Sequence, residues 1–563
     1  MNKKAALPAI AVVLAASMAL AGCSPGSSDP KSAGPTSSQQ AGDPDDEIGP
    51  PGAAVPGEEG EEGEDGDEDE DAEAATINPD YANGEPNTSL QIAGFSADVN
   101  VLELPSTPAT KAPWTEMPKP HPIKDADGAQ TEAVQGAAPA GAAPPIDVNV
   151  AGLDYDTWGA GHPPDTSGAV GPDQYVQTVN TSIGIYAKSG EQLNAFTYNT
   201  FFGQFHSGTP CDNQNGGDPQ VIFDQPSNKW IIGDLAYPRP YYFCMAVSDG
   251  PDLATANWTL YPYLASQTEL NDYPKIASGP NGLFLTSNMF LNEQYFDGAQ
   301  VWALKRSSLG QKKLKVQTVR TGSSYGSLLP ANSYAATESK GPDYLVSLES
   351  STTIGLWQYS VNWKHPKKTK FTTTPKLIKV ASYQPAGSVP EKNGSALDSL
   401  SDRPMYQLQL ATDGTLWFNH SVQVGSQAGV RWYQLGNIAG ASPTVLQQST
   451  YAPGDSLYRW MGSLAVDKDG NMAVGFSTSS SSAFPSINYA TRLATDPASQ
   501  LTAEANIVKG TGAQTVTNRW GDYSQMSLDP TDSCTFWYTQ EYYTETGGDW
   551  QTRIASFKFP SCS

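Results

Sequence analysis

Met461-Gly-Ser-Leu-Ala-Val466, Asp467-Lys-Asp-Gly-Asn471 and Met472-Ala-Val-Gly-Phe-Ser477 follow one another without interruption. The first run alternates loosely, the middle one carries the Asp-Gly pair that closes tight hairpins, and the last returns as the antiparallel partner. The plan recurs downstream in Tyr523 to Leu528, the turn Asp529-Pro-Thr-Asp532 and Cys534-Thr-Phe-Trp-Tyr-Thr539. Upstream it recurs in Asp402-Arg-Pro-Met-Tyr-Gln-Leu-Gln-Leu410, the turn Thr412-Asp-Gly414 and Leu416-Trp-Phe-Asn-His420. Asp467-x-Asp-Gly-Asn471 also matches the first half of an EF-hand loop. That loop needs a Glu at its twelfth position, where Thr478 stands, so the hairpin reading prevails.

Earlier copies begin at Asp165-Thr-Ser-Gly-Ala-Val-Gly-Pro-Asp173, Asp218-Pro-Gln-Val-Ile-Phe-Asp224 and Asp272-Tyr-Pro-Lys-Ile-Ala-Ser-Gly-Pro280. A weaker one is Asn332-Ser-Tyr-Ala-Ala-Thr-Glu338 with Lys340-Gly-Pro-Asp343. Measured at turns near 171, 224, 279, 340, 411, 467 and 529, the copies stand 53 to 71 residues apart. Four short antiparallel strands fill that length, which is the period of a propeller blade. The first strand of each copy carries small side chains and the second Trp, Tyr, Phe and Val, a taper that radial packing requires. The expected fold is therefore all-β, a seven-bladed β-propeller over 146–563.

The front end reads differently. Residues 1–22 have the form of a processing signal: Lys3 and Lys4, an apolar stretch from Ala5 to Ala19, then Leu20-Ala21-Gly22-Cys23. That tetrad resembles the bacterial lipobox, and the resemblance implies cleavage before Cys23 and a lipid on its sulfur. Localisation is then extracytoplasmic, anchored to the bacterial cell membrane, with the membrane as a partner. Residues 23–75 form an acidic tether with too little apolar surface to fold. Between Asp43 and Glu73 lie 16 acids and no Lys or Arg, so removing them takes the net charge from −26 to −10. Residues 76–145 are rich in Pro and Ala and of undecided order, although Ile92 to Phe95 and Val99 to Leu104 could supply a strand against the propeller.

The acidic balance argues against nucleic acid. Four cysteines remain after Cys23, an even number that suits two disulfides in an exported domain. Of three pairings, the local one is expected: Cys211 with Cys244 and Cys534 with Cys562. The second would latch the C-terminal strand to the last blade.

In a propeller, the segments entering the innermost strands converge at one end of the channel. Here they carry Asp165, Asp218, Asp272, Asp402 and Asp522 with Arg403, Arg459 and Arg519. Trp460, Trp520, Tyr273 and Tyr523 stand beside them, and the loop Tyr237-Pro-Arg-Pro-Tyr-Tyr242 adds Arg239. One reading is a glycan site. Asp218, Asp272, Asp402 and Asp522 are then the candidate catalytic carboxyls, and Asp165, Arg239, Tyr273, Arg403, Arg459, Trp460, Arg519, Trp520 and Tyr523 the candidate binding residues. The other reading is a lattice in which each Asp caps backbone N–H groups or pairs with an Arg of the neighbouring blade. No cofactor is firmly implied; calcium, a hard cation that takes oxygen ligands, is the possible one. The histidines, 121, 162, 206, 365 and 420, have no zinc spacing, and no metal ligand set is assigned. No Gly-x-Ser-x-Gly elbow occurs.

The three arginines with nearby acids and tyrosines are similar to the arrangement in sialidases, which are propellers too. Seven copies rather than six, no Asp-box in the turns and no Arg-Ile-Pro near the start separate this chain from them, so no sialidase role is carried over. The motifs at 217–219, 272–275, 459–463, 519–524 and 534–539 resemble a family of exported bacterial proteins with a propeller-like domain and no established activity. The expectation is a monomeric surface lipoprotein that engages a glycan at the channel mouth. The alternatives are a glycoside hydrolase or polysaccharide lyase using two rim carboxylates, and a protein-interaction scaffold.

Overall fold

A computed structural model of the chain describes residues 88–111, 130–136, 141–335 and 337–563. The signal segment, Cys23 and the acidic tether lie outside them. No helix among the described residues is long and apolar enough to cross a membrane.

The described chain is all-β, built from antiparallel meanders of about four strands. Their innermost strands are Ser167–Val170, Asn215–Asp224, Glu269–Gly279, Leu329–Ser333, Met405–Leu410, Tyr458–Val466 and Gln525–Leu528. Each packs against the next, and the last returns to the first, so the meanders stand around one axis as a β-propeller. Every turn singled out in the sequence separates a first strand from a second. Two neighbouring meanders are fused, because Ala331, Asn332 and Ser333 pair in parallel with Leu408, Gln409 and Leu410, giving one ten-stranded sheet.

Apolar layers fill the gaps between neighbouring sheets. Val176 and Ile183 meet Val221 and Trp230, and Ile231 and Met245 meet Leu285 and Trp302. Phe284 and Val301 meet Leu345 and Trp357, and Val346 and Leu356 meet Leu408 and Phe418. Trp417 and Trp432 meet Val474 and Phe476, and Tyr489 meets Phe536 and Tyr538. Tyr175 and Tyr186 close the circle against Trp537 and Ile554. Each sheet buries both faces, which is how a chain of this length escapes the limit on a single core.

The channel side is held by amides. Gln525 Oε1 accepts from Ser167 Oγ at 2.5 Å and from Gly168 N at 3.0 Å, while its Nε2 donates to Val221 O at 3.2 Å. Gln409 donates to Val466 O and accepts from Val466 N, both at 2.7 Å. Asn332 accepts from Ser278 N at 2.9 Å and donates to Gln407 at 3.1 Å. These bonds satisfy polar groups that the converging strands have taken out of water.

Two closures fix the ends. Strand Ile146–Asp154 pairs antiparallel with Gln551–Phe557, so the N-terminal side supplies the outermost strand of the last meander and covers its edge. The disulfides are Cys211–Cys244 and Cys534–Cys562, with Cα atoms 5.5 and 5.7 Å apart. Upstream, Thr88–Ala93 adds an edge strand to Lys313–Arg320, and Phe95–Ala97 adds one to Trp258–Ser266. Val99 to Leu104, expected as strand, forms turns whose Val99, Val101 and Leu104 are buried in the first apolar layer.

Candidate functional site

Four residues at the mouth adopt left-handed backbone: Asp165 (φ 48°), Asp218 (φ 57°), Tyr273 (φ 53°) and Met461 (φ 52°). The last three sit in β-bulges, marked by register breaks between Gly217 and Gln220, Asp272 and Lys275, and Trp460 and Ser463. Proline follows Asp218 and Tyr273, tolerable because a bulge residue owes the ladder no N–H. Left-handed backbone at a non-glycine costs about 1–3 kcal/mol, and its recurrence here re-aims the entry side chains across the mouth.

Those side chains link sheet to sheet. Asp165 accepts from Asp522 N at 2.7 Å and from Asn180 Nδ2 at 2.6 Å. Asn180 Oδ1 accepts from Asp218 N at 2.8 Å, and Asp218 accepts from Tyr273 N at 2.9 Å. The last, first, second and third meanders are thereby joined through side chain and backbone.

Behind this chain lies Lys275, 1% exposed. Its ammonium stands 3.7 Å from the ring centres of both Tyr273 and Tyr523, and it donates to Pro274 O at 2.7 Å. Arg403 lies 4.4 Å from the centre of the Tyr273 ring, so that ring is in contact with two cations. The Tyr273 hydroxyl is buried without a hydrogen bond. The Tyr523 hydroxyl donates to Pro219 O at 3.2 Å.

The four candidate catalytic carboxyls divide into two kinds. Asp402 is ion-paired with Arg403 at 2.9 Å, and Asp522 with Arg519. Asp218 and Asp272 make no ion pair among the described residues. Burial pushes Asp218 up to about 7, reinforced by Asp272 and offset by Lys275. Burial and Asp522 push Asp272 up to about 6, against the pull of Arg403 and Arg519. Burial also brings the Lys275 ammonium down to about 7, with Asp218, Asp522 and Asp165 opposing. Asp165 is raised by burial and then by Asp522 and Asp218. Acids that hold a proton near neutrality are the usual equipment of acid–base catalysis.

Several candidates lie elsewhere. The Arg459 guanidinium is buried between Asp455 and Glu504, both at 2.7 Å, and pairs with none of the hub carboxyls. Trp460 and Trp520 are 0% and 1% exposed and pack on each other with ring centres 5.9 Å apart, so neither offers an open face to a sugar. Arg239 is turned to the rim, where it donates to Tyr241 Oη at 3.2 Å and Asn292 at 3.4 Å. The arginine–aspartate pairs at the mouth are local, one and three residues apart, rather than between blades.

Sequence reading missed Lys275, Asn180, Glu541 and Glu391 as site residues. Glu541 accepts from Gly521 N at 2.8 Å beside Asp165, and burial raises its carboxyl. Glu391 reaches Gln514 N at 3.1 Å, and burial brings it to about 8. Only Lys275 left a signal, as the residue after Pro274 in the Asp-Tyr-Pro-Lys motif. Among the described residues no group of three or more His, Cys, Asp or Glu side chains is placed to hold a metal ion.

No protein-family model matches the chain, and no curated protein is similar to it in sequence. Solved structures with distant likeness include a thermostable family-43 glycoside hydrolase (11% identity, 62% of this chain and 91% of that one, TM-score 0.28). Others are an α-L-arabinanase of Penicillium chrysogenum (11%, 57% and 92%, 0.31) and the sialidase of Trypanosoma rangeli (10%, 60% and 54%, 0.30). At such scores no residue role passes to this chain.

Proposed function

We propose that the protein is an extracytoplasmic lipoprotein, anchored through Cys23, whose seven-bladed propeller engages a glycan at the channel mouth and performs acid–base chemistry on it. The circuit of innermost strands supports the blade count, with the two fused meanders counted as two blades. The observation that carries the functional reading is the pair Asp218 and Asp272. Both are partly exposed at the mouth and neither makes an ion pair among the described residues; Asp218 is held at about 7 in the field of Lys275, and Asp272 at about 6 in those of Arg403 and Arg519.

In a hydrolytic cycle, protonated Asp218 gives its proton to the leaving glycosidic oxygen while ionised Asp272 takes one from the attacking water. Arg403 and Arg519, already neutralised by Asp402 and Asp522, fix those two carboxyls and leave the first pair free to change protonation. A scaffold finds less support, because the large exposed apolar residues Leu193, Tyr295 and Leu377 lie in three different sheets and Val516 in a loop.

The test is a panel of polysaccharides with released reducing ends and bound fraction read together. Asp218→Asn and Asp272→Asn should each abolish release and keep binding. Release unchanged in both variants would remove the acid–base reading.

A further inference from the structure

Beside the hub lies a cleft of about 620 Å³, within the range of small-molecule sites. One wall is the 107–110 segment, held down where Ala109 N donates to Thr157 O at 3.2 Å and Lys111 Nζ donates to Gly159 O at 2.8 Å. The other wall comes from loop ends of the first two blades. None of its lining residues is charged. Hydroxyls and amides dominate: Thr107, Thr110, Thr181, Asn199 and Thr200, with Tyr237 as the aromatic member.

The cleft adjoins the hub along two segments of chain. Asn215 and Gly216 line the cleft and run directly into Gly217 and Asp218. Thr181 follows Asn180, which bonds to Asp165 and to Asp218 N. The Tyr237 ring lies against Gly216, where a β-carbon would come within 2.5 Å of it, and its phenol is raised by burial and by the fields of Asp218 and Asp272.

We propose that this cleft binds the uncharged continuation of the glycan whose reacting unit sits at the hub, so that the preferred ligand is a neutral oligosaccharide. The inference rests on the functional reading given above. Sugar hydroxyls both donate and accept, as threonine hydroxyls and asparagine amides do, and Tyr237 offers an apolar face with a polar tip. A uronate, sulfate or phosphate would find no counter-charge in the cleft and would lose its hydration without return.

The test uses the full chain in detergent with xylo-, arabino-, galacto- and gluco-oligosaccharides of one to five units, and oligogalacturonides as the charged series. Asn199→Trp and, from the opposite wall, Thr110→Trp fill the cleft from exposed positions. Expected is an affinity that rises roughly tenfold or more from monosaccharide to tetrasaccharide in one neutral series. Both variants should abolish that rise while monosaccharide affinity and melting temperature stay as in wild type. A rise that survives in both variants, or one confined to oligogalacturonides, overturns the proposal. Asp218→Asn run in parallel keeps the two readings apart. Loss of the length effect in the cleft variants, with saccharide release unaltered by Asp218→Asn, upholds the cleft and overturns the hub chemistry. Absence of binding by every saccharide overturns both.

Discussion

The Asp165 carboxylate accepts the backbone N–H of Asp522 at 2.7 Å, across 357 residues of chain. The bond joins the entry of the first meander to that of the last, at the point where the circuit of innermost strands closes. It holds a carboxylate in the left-handed region, where burial and Asp522 raise its affinity for a proton. Closure of the ring and construction of the site are therefore the same event at this position.

Asp218 should make stability depend on pH. Its carboxyl is near 3.9 in the unfolded chain and about 7 when folded, so the protonated form is favoured in the fold. That contribution is fully present below about pH 4 and is lost as pH rises towards 7, at most ~4 kcal/mol over three units. Asp218→Asn cannot ionise. Its melting temperature should exceed that of wild type at pH 7.5 by several degrees and by much less at pH 4. Parallel melting curves across that window would show that the carboxyl is not held protonated.

Lys275→Met keeps the volume between the Tyr273 and Tyr523 rings and removes the cation. Since Lys275 lowers the Asp218 carboxyl, its loss should move that titration to higher pH by roughly one unit, or ~1.4 kcal/mol. Carboxyl NMR of the variant, or the alkaline limb of glycan release, reads the shift. A limb in its wild-type place would exclude coupling between the two groups.

Arg459 and Arg519 occupy equivalent places in the sequence and should behave differently. Arg459→Ala strips a buried guanidinium from Asp455 and Glu504 and should cost about 3 kcal/mol of stability with glycan affinity unaltered. Arg519→Ala frees Asp522 at the mouth and should weaken glycan engagement at a smaller stability cost. Thermal melts with glycan titration on both variants separate these outcomes.

The double variant Cys534→Ser, Cys562→Ser opens a loop of 28 residues near the C-terminus. Chain-entropy arguments put the loss at about 3.6 kcal/mol. The denaturant midpoint should fall, with an m-value equal to or somewhat above that of wild type because the unfolded chain is less constrained. Equal midpoints would show that the pairing of Ile146–Asp154 with Gln551–Phe557 holds the ring without help from the bridge.

Much of the architecture was legible because turns and strand alternation are local properties. Asp467-Lys-Asp-Gly-Asn471 is a hairpin turn whose Asp467 accepts from Asp469 N and Asn471 N, both at 2.9 Å, as its residues dictate. Both disulfides followed from nearness in sequence. The closing strand Ile146–Asp154 was not foreseen, since its partner lies some four hundred residues away and nothing in its own pattern names that partner. Trp460 and Trp520 looked like sugar platforms because an arginine precedes each. Packing between the sheets turned both inward.

Taken alone, the order of residues set the repeat, the turns that divide it, and the convergence of Asp165, Asp218, Asp272, Asp402 and Asp522 on one end. Only the tertiary structure decided which of those acids are ion-paired with an arginine and which, Asp218 and Asp272, are left without an ion-pair partner among the described residues in a partly buried setting. The physical reason is that a carboxyl's charge state depends on burial and on the sum of nearby fields. Both are created by strands brought together around the axis, and no single stretch of chain contains them.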